Sequence, residues 1–384
     1  MTQKVFILII ALFAGFSSIA QNDYLDAQAE ENEKIYTGGE THELKIFPQK
    51  FKGKTPKNVI LLIGDGVGVS QVQAGYTANR GNLFLENFKH VGFINTSSAD
   101  KYVTDSAAGG TALSTGQKTY NGAIAVDLNK KPIKTILQEA EDKGLATGLV
   151  STSAITHATP ASFIAHQESR NMYEEIAADF LKTDIDVFIG GGYKHFTERK
   201  DGRNLAEELR QKGYRVEQDI NTIKNIKEGK LAGLTAAEHN GRMDERGDML
   251  PLATNTAINI LSNNKKGFFL MVEGSQIDWG GHAGSTIYIV EDMLDFDRTV
   301  GKALDFASEN RETLVIVTAD HETGGLAVMD GNYETGMVKG EFPTGSHTGV
   351  MVPVFAYGPG AEQFTGIMEN TDIPQKIRKL LIGN

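Results

Sequence analysis

The run Asn58–Gly64, Asn-Val-Ile-Leu-Leu-Ile-Gly, constrains the fold more than any other feature of the chain. It is almost unbroken in apolar character, rich in β-branched residues, and closed by glycine. A strand with one wet face alternates polar and apolar side chains; a run without a polar face suits a strand covered on both sides. Similar runs recur at Ala146–Val150, Asp186–Ile189, Gly267–Val272, Thr313–Thr318 and Val352–Tyr357. Helix-like stretches such as Pro132–Lys143 and Ile287–Asn310 lie between them. Strand alternating with helix predicts an α/β fold of three layers, a mostly parallel central β-sheet with helices on both faces. No internal repeat or linker breaks the pattern. Residues 56–384 are therefore expected to form a single domain, with the polar, irregular stretch at about 193–255 as an insertion. Residues 21–55 are polar and read as an N-terminal arm.

The first twenty residues have the pattern of a signal peptide: Lys4, an apolar stretch from Val5 to Phe16, and the small-x-small site Ser18-Ile19-Ala20. The apolar stretch is short for a membrane span. The expectation is a secreted or periplasmic protein, cleaved near Ala20–Gln21, with no stable membrane anchor. The chain has no cysteine. That excludes thiolate catalysis and cysteine ligation, so any metal must sit on His, Asp, Glu and hydroxyl oxygens. The formal net charge of -11 argues against a nucleic-acid binding surface. An anionic substrate would be captured by a local positive device.

In open α/β sheets, ligands bind beyond the carboxyl ends of the strands. Three runs end there in an acid: Asp65 after Gly64, Glu273 after Val272, and Asp320 after Ala319, with His321 beside it. One such acid is ordinary. Three bring negative groups to one edge of the sheet, where unpaired charge is expensive, and divalent cations are the simplest compensation. Asp278 and His282 in Asp-Trp-Gly-Gly-His, and His347 in Gly-Ser-His-Thr-Gly, are further candidate ligands. Histidine with carboxylate is a zinc set, whereas carboxylate with hydroxyl and water suits magnesium. Each residue alone has the plainer reading of a structural loop residue; only the clustering points to metal. His42, His90, His166, His195 and His239 have no such context and read as structural or solvated.

The segment Asp105-Ser106-Ala-Ala-Gly-Gly carries a second signal. A serine at a helix start directs backbone amides and the helix dipole toward an anion. The competing reading is plain capping of the helix by Asp105 or Ser106. No Gly-x-Ser-x-Gly surrounds Ser106, which argues against an α/β-hydrolase. The turn Gly64-Asp65-Gly66-Val67-Gly68 follows a strand as a dinucleotide-binding turn does, but Val69 stands where its third glycine belongs.

Taken together, the motifs resemble the alkaline phosphatase family, from Asp65 to about Gly360. The matching strings are Ile-Gly-Asp-Gly at 63–66, Thr-Asp-Ser-Ala-Ala at 104–108, Lys-Thr-Tyr-Asn-Gly at 118–122 and His-Ala-Thr-Pro-Ala at 157–161. They continue with Ser-Arg at 169–170, Glu-Gly-Ser-Gln-Ile-Asp at 273–278, Thr-Ala-Asp-His-Glu at 318–322 and Ser-His-Thr-Gly at 346–349. The resemblance implies hydrolysis of small phosphomonoesters through a phosphoserine on Ser106, with two Zn2+ and one Mg2+. It would place the first zinc on Asp278, His282 and His347, and the second on Asp65, Asp320 and His321 beside Ser106. Magnesium would take Asp65, Thr159 and Glu273, and Arg170 would clamp phosphate. It also implies a homodimer, the family's usual form. Two positions depart from the best-known bacterial pattern. His157 and Trp279 stand where an Asp and a Lys are often found, and both bear on the identity of the third metal. The resemblance leaves other enzymes of the superfamily open, namely a phosphodiesterase, nucleotide pyrophosphatase or sulfatase, as well as a phosphate-binding protein without turnover.

Overall fold

The computed structural model describes residues 31–383. The expected signal peptide, residues 1–20, and the first part of the arm lie outside the described residues.

A ten-stranded sheet forms the centre. Its spatial order is Gly366–Glu369, His90–Asn95, Val352–Tyr357, Thr313–Thr318, Asn58–Gly64, Phe268–Gly274, Ala146–Ala154, Val187–Gly191, Leu231–Leu234 and Arg215–Glu217. Val352–Tyr357 runs antiparallel to both neighbours, and the remaining pairs are parallel. Every residue of Asn58–Gly64, Ala146–Ala154 and Phe268–Gly274 is buried, as in strands covered on both faces. One helical layer is built from Val69–Ala78, Met249–Leu261 and Thr286–Asn310; the other contains Ser106–Thr115, Ile136–Asp142, Ala158–Ile164 and Asp372–Ile377.

Local chemistry sets the helix limits. The helix expected from Pro132 begins at Ile136, because Thr135 accepts a hydrogen bond from the Gln138 amide and Gln138 returns one. The long helix starts after Ser285, whose side chain accepts from Tyr288 N, and stops at Arg311, whose φ of 65° ends the helical repeat.

The stretch 193–255 carries the edge strand Arg215–Glu217, its neighbour Leu231–Leu234 and the start of the helix Met249–Leu261, so it extends the sheet and its covering layer. The described part of the arm is tied down. Ile35–Tyr36 pairs with Met337–Glu341, Phe47 is buried, and His42 Nε2 lies 2.7 Å from the buried Asp297. Among the described residues no helix is long and apolar enough to cross a membrane.

Register prepares the site. Ile63 lies level with Glu273 on one side and with Thr318 on the other, so neighbouring strands release Asp65 and Asp320 at one height, with Glu273 two residues back on the third strand. A short ladder between Glu322–Thr323 and His347–Thr348 then folds His347 back beside His321.

Candidate metal centre and active site

The strand-end acids converge as the sequence predicts, and each is buried: Asp65, Glu273 and Asp320 are all 0% exposed. Both carboxylate oxygens of Asp65, together with Asp320 Oδ2 and Glu273 Oε1, have no hydrogen-bond partner. Burial, then the charges of Asp320, Asp278 and Glu273, push Asp65 well above the usual carboxylate range. Burial with Asp278 and Glu273 nearby pushes Asp320 up to about 8. Burial also raises Glu273, against the pull of donors from Ser151 and Ser275. Asp278 goes the other way: burial pushes it up, but His282, His347 and His321 outweigh this and hold it low. Orphaned carboxylate oxygens in a dry pocket are what a cation site requires.

The histidines meet them with their lone pairs. His282 Nδ1 donates to Gly345 O at 2.8 Å, and His347 Nδ1 donates to Thr104 O at 2.9 Å. Thr323 Oγ1 donates to Asp278 Oδ1, so at 3.2 Å it can only accept from His321 Nδ1. Each ring thus turns its Nε2 toward the acids, as metal-binding histidines do when an outer group fixes the ring; burial lowers His282, but the charge of Asp278 outweighs it and raises its pKa. The Nε2 atoms of His282 and His347 face each other at 3.1 Å, within reach of one shared cation. Burial, with neighbouring imidazoles, lowers both His321 and His347.

Two candidate clusters result. Ligand atoms of Asp65, Asp320 and His321 lie within 4.8 Å of one another, and so do those of Asp278, His321 and His347. His282, expected with the second group, is placed there by its Nε2, which is 3.4 Å from Asp278 Oδ2. The donor types, imidazole with carboxylate, fit zinc.

Ser106 lies beside the first cluster, its Oγ 3.2 Å from His321 Nε2. The choice left open by the sequence has a physical answer here. Asp105 caps the helix, accepting from Ala108 N at 2.9 Å, and Ser106 becomes the first helical residue with its hydroxyl turned to the acids. The helix can approach this closely because Gly109 lacks a side chain; a Cβ there would stand 3.1 Å from Asp320.

Arg170 reaches the site because the chain turns back. The Ala158–Ile164 helix ends after seven residues, Gln167 pairs with Ile124, and Arg170 N donates to Gly122 O at 2.7 Å. The guanidinium donates to Asp105 Oδ2 at 3.2 Å and to His157 Nε2 at 3.1 Å. His157 therefore carries its proton on Nδ1, which is buried without a partner. Burial first, then Arg170, lowers His157 well below the usual imidazole range.

Near His157, Thr159 Oγ1 and Glu273 Oε1 are buried without partners, an oxygen pair suited to magnesium. The other Glu273 oxygen takes hydroxyl donors from Ser151, from Ser275 at 2.6 Å and from Ser153 at 3.3 Å. Trp279 meets His157 edge-on at 6.2 Å. Sequence reasoning missed this serine cradle and Thr323, because nothing local distinguishes them. It also missed His239, whose ring lies 4.9 Å from Trp279 and 5.4 Å from His157.

Comparison with known proteins agrees with this geometry. The family model described as Alkaline phosphatase matches residues 56–341 and 338–382. Alkaline phosphatase 3 of Bacillus subtilis (strain 168) is 35% identical, across 96% of this chain and 95% of its own. The structure of alkaline phosphatase from the Antarctic bacterium TAB5 is 44% identical with a TM-score of 0.81, covering 86% of this chain and all of that one. A histidine-to-aspartate mutant of the TAB5 enzyme, 43% identical with a TM-score of 0.81 over 87% of this chain and all of its own, has magnesium bound in its M3 site. A family match over most of the chain, the shared fold, and a serine facing two clusters of metal donors lead to one conclusion: this chain belongs to the alkaline phosphatase family.

Proposed function

We propose that the protein hydrolyses phosphate monoesters to an alcohol and inorganic phosphate through a phosphoserine on Ser106. The observation that carries this reading is the convergence on Ser106 Oγ of orphaned carboxylates and neutral imidazole nitrogens. Two zinc ions would be held by Asp278, His282 and His347 and by Asp65, Asp320 and His321, and one magnesium by Asp65, Thr159 and Glu273. Bound there, the cations would lower the pKa of the serine hydroxyl and offset the charge of the phosphoryl group.

The chain's own residues do the rest. Ser106 Oγ attacks phosphorus, its bond to phosphorus forms, and the bond to the leaving alcohol oxygen breaks. Water then attacks the phosphoserine, releasing phosphate and restoring the hydroxyl. The first turn of the Ser106–Thr115 helix directs amides and dipole toward the dianion. Arg170 clamps two phosphoryl oxygens with its planar fork, which Asp105 and His157 hold in place. Residues 56–384 form the catalytic domain, with the family match from residue 56 in support. The pattern of residues 1–20 supports export to the periplasm or medium, and the family resemblance supports a homodimer.

The test compares a phosphate monoester, a phosphate diester and a sulfate ester of the same nitrophenol. The monoester should be hydrolysed with the highest kcat/KM. Faster turnover of the diester or the sulfate, or no turnover of any, would overturn the reading.

A further inference from the structure

We infer that His239 is a positioning residue for the third metal site and, through it, for Arg170. The inference rests on the phosphatase reading above. His239 lies in the stretch that the sequence marks as an insertion, far in sequence from every site motif. The segment around it is held from three sides. Gly192 N donates to Glu238 O, Tyr193 N to Ala236 O and Lys194 N to Ala237 O. Gln276 Nε2 donates to Asn240 O at 2.7 Å, which links the segment to the helix that carries Asp278 and Trp279. Arg246, a few residues on, is buried against Asp292 at 2.7 Å and Asp295 at 2.6 Å of the long helix.

This anchoring delivers the imidazole to a defined place. His239 Nδ1 accepts from Ala154 N at 3.0 Å, at the end of the strand that leads to His157. The ring is nearly perpendicular to both His157 (88°) and Trp279 (87°). His157 and Trp279 are themselves perpendicular, at 89°. Three rings packed edge to face fix each other's planes, because rotation of one closes on its neighbours. The plane of His157 matters: its Nε2 accepts from Arg170, and its Nδ1 is a buried donor without a hydrogen-bond partner, two residues before Thr159. If His239 is removed, His157 can turn, and Arg170 loses a side-chain anchor.

The test uses the full metal-loaded protein with His239→Ala, His239→Asn and His239→Phe. Asn places an amide oxygen near the position of Nδ1 and can still accept from Ala154 N. Phe keeps a ring against His157 and Trp279 but accepts nothing. Trp279 is the only tryptophan in the chain, so its emission reads this wall directly and independently of turnover. His239→Ala should shift Trp279 emission to the red and raise its quenching by acrylamide. The KM for nitrophenyl phosphate and the inhibition constant of inorganic phosphate should rise by roughly tenfold, with kcat changed less. Asn and Phe, each keeping one contact, should lie between wild type and Ala. Wild-type emission and phosphate inhibition in His239→Ala would overturn the inference. If Ala does not fold, Asn and Phe that both match wild type in emission and phosphate inhibition overturn it equally. An emission shift in a protein without monoesterase activity would uphold the positioning role and reject the phosphatase reading.

Discussion

Stripping bound cations with a chelator leaves four buried carboxylates, Asp65, Glu273, Asp278 and Asp320, in one pocket. Asp278 keeps its charge because imidazoles surround it. Asp65 and Asp320 do not: burial and the charges of the neighbouring acids push Asp65 far up and Asp320 to about 8. Both therefore hold protons at neutral pH in the metal-free protein, whereas coordination needs them ionised. Rebinding the metals near neutral pH should release roughly two protons, and the release should shrink once Asp320 has already ionised. The same groups set stability. A carboxyl whose folded pKa lies above its unfolded value binds protons more tightly when folded, so its contribution is present at low pH and lost as pH rises. For Asp320 the gap between an ordinary aspartate, at about 3.9, and about 8 corresponds to on the order of 6 kcal/mol, lost across that window. The metal-free protein should therefore weaken from mildly acidic to alkaline pH, and the metal-loaded protein should not. Calorimetric zinc titration in two buffers of different ionisation enthalpy counts the protons, and urea unfolding of the metal-free protein follows stability. Absence of proton release at neutral pH, or a metal-free protein that gains stability toward alkaline pH, would refute the reasoning.

Three further outcomes follow from the geometry. Arg170→Ala should raise KM and the inhibition constant of phosphate by roughly tenfold or more without changing metal content, because the guanidinium grips bound phosphate and transition state alike. Unaltered phosphate inhibition would place Arg170 outside the site. Excess zinc should inhibit the enzyme and magnesium restore it, since His157 leaves the third site without the carboxylate that favours magnesium. His157→Asp should move that competition toward magnesium by roughly tenfold, and coincident zinc inhibition curves for wild type and mutant would deny His157 any influence. Arg246→Met should cost about 3–5 kcal/mol of stability in urea unfolding, because it strands the buried Asp292 and strips one partner from Asp295. A loss below about 1 kcal/mol would contradict the buried triad.

The strands legible in the sequence are those with no polar face. Asn58–Gly64, Thr313–Thr318 and Val352–Tyr357 have the limits read from their apolar runs, and the other three shift by a few residues. The strands that escaped notice sit toward the edges of the sheet, where burial cannot write an apolar run. His90–Asn95 has half-buried or exposed residues at its first, second, fourth and sixth positions, Arg215–Glu217 has only three residues, and Leu231–Leu234 is buried but only four long. The candidate ligands Asp65, Glu273 and Asp320 could be read because acids at the ends of apolar runs are conspicuous. Arg170 could not be placed by spacing, since its position depends on the turn after Ile164 and on the Gln167–Ile124 bridge. His239 was invisible for the same reason: its partners, Ala154 N and two rings, adjoin it only in the fold.

A phosphoryl group passing through Ser106 is the central claim. Metal-loaded protein incubated with radiolabelled phosphate, quenched in acid and mapped by peptide, measures it directly. The label should lie on the peptide containing Ser106 and vanish in Ser106→Ala, which should keep its zinc and lose roughly a thousandfold or more in turnover. An unlabelled wild-type protein, or near-wild-type turnover in metal-loaded Ser106→Ala, would contradict the account.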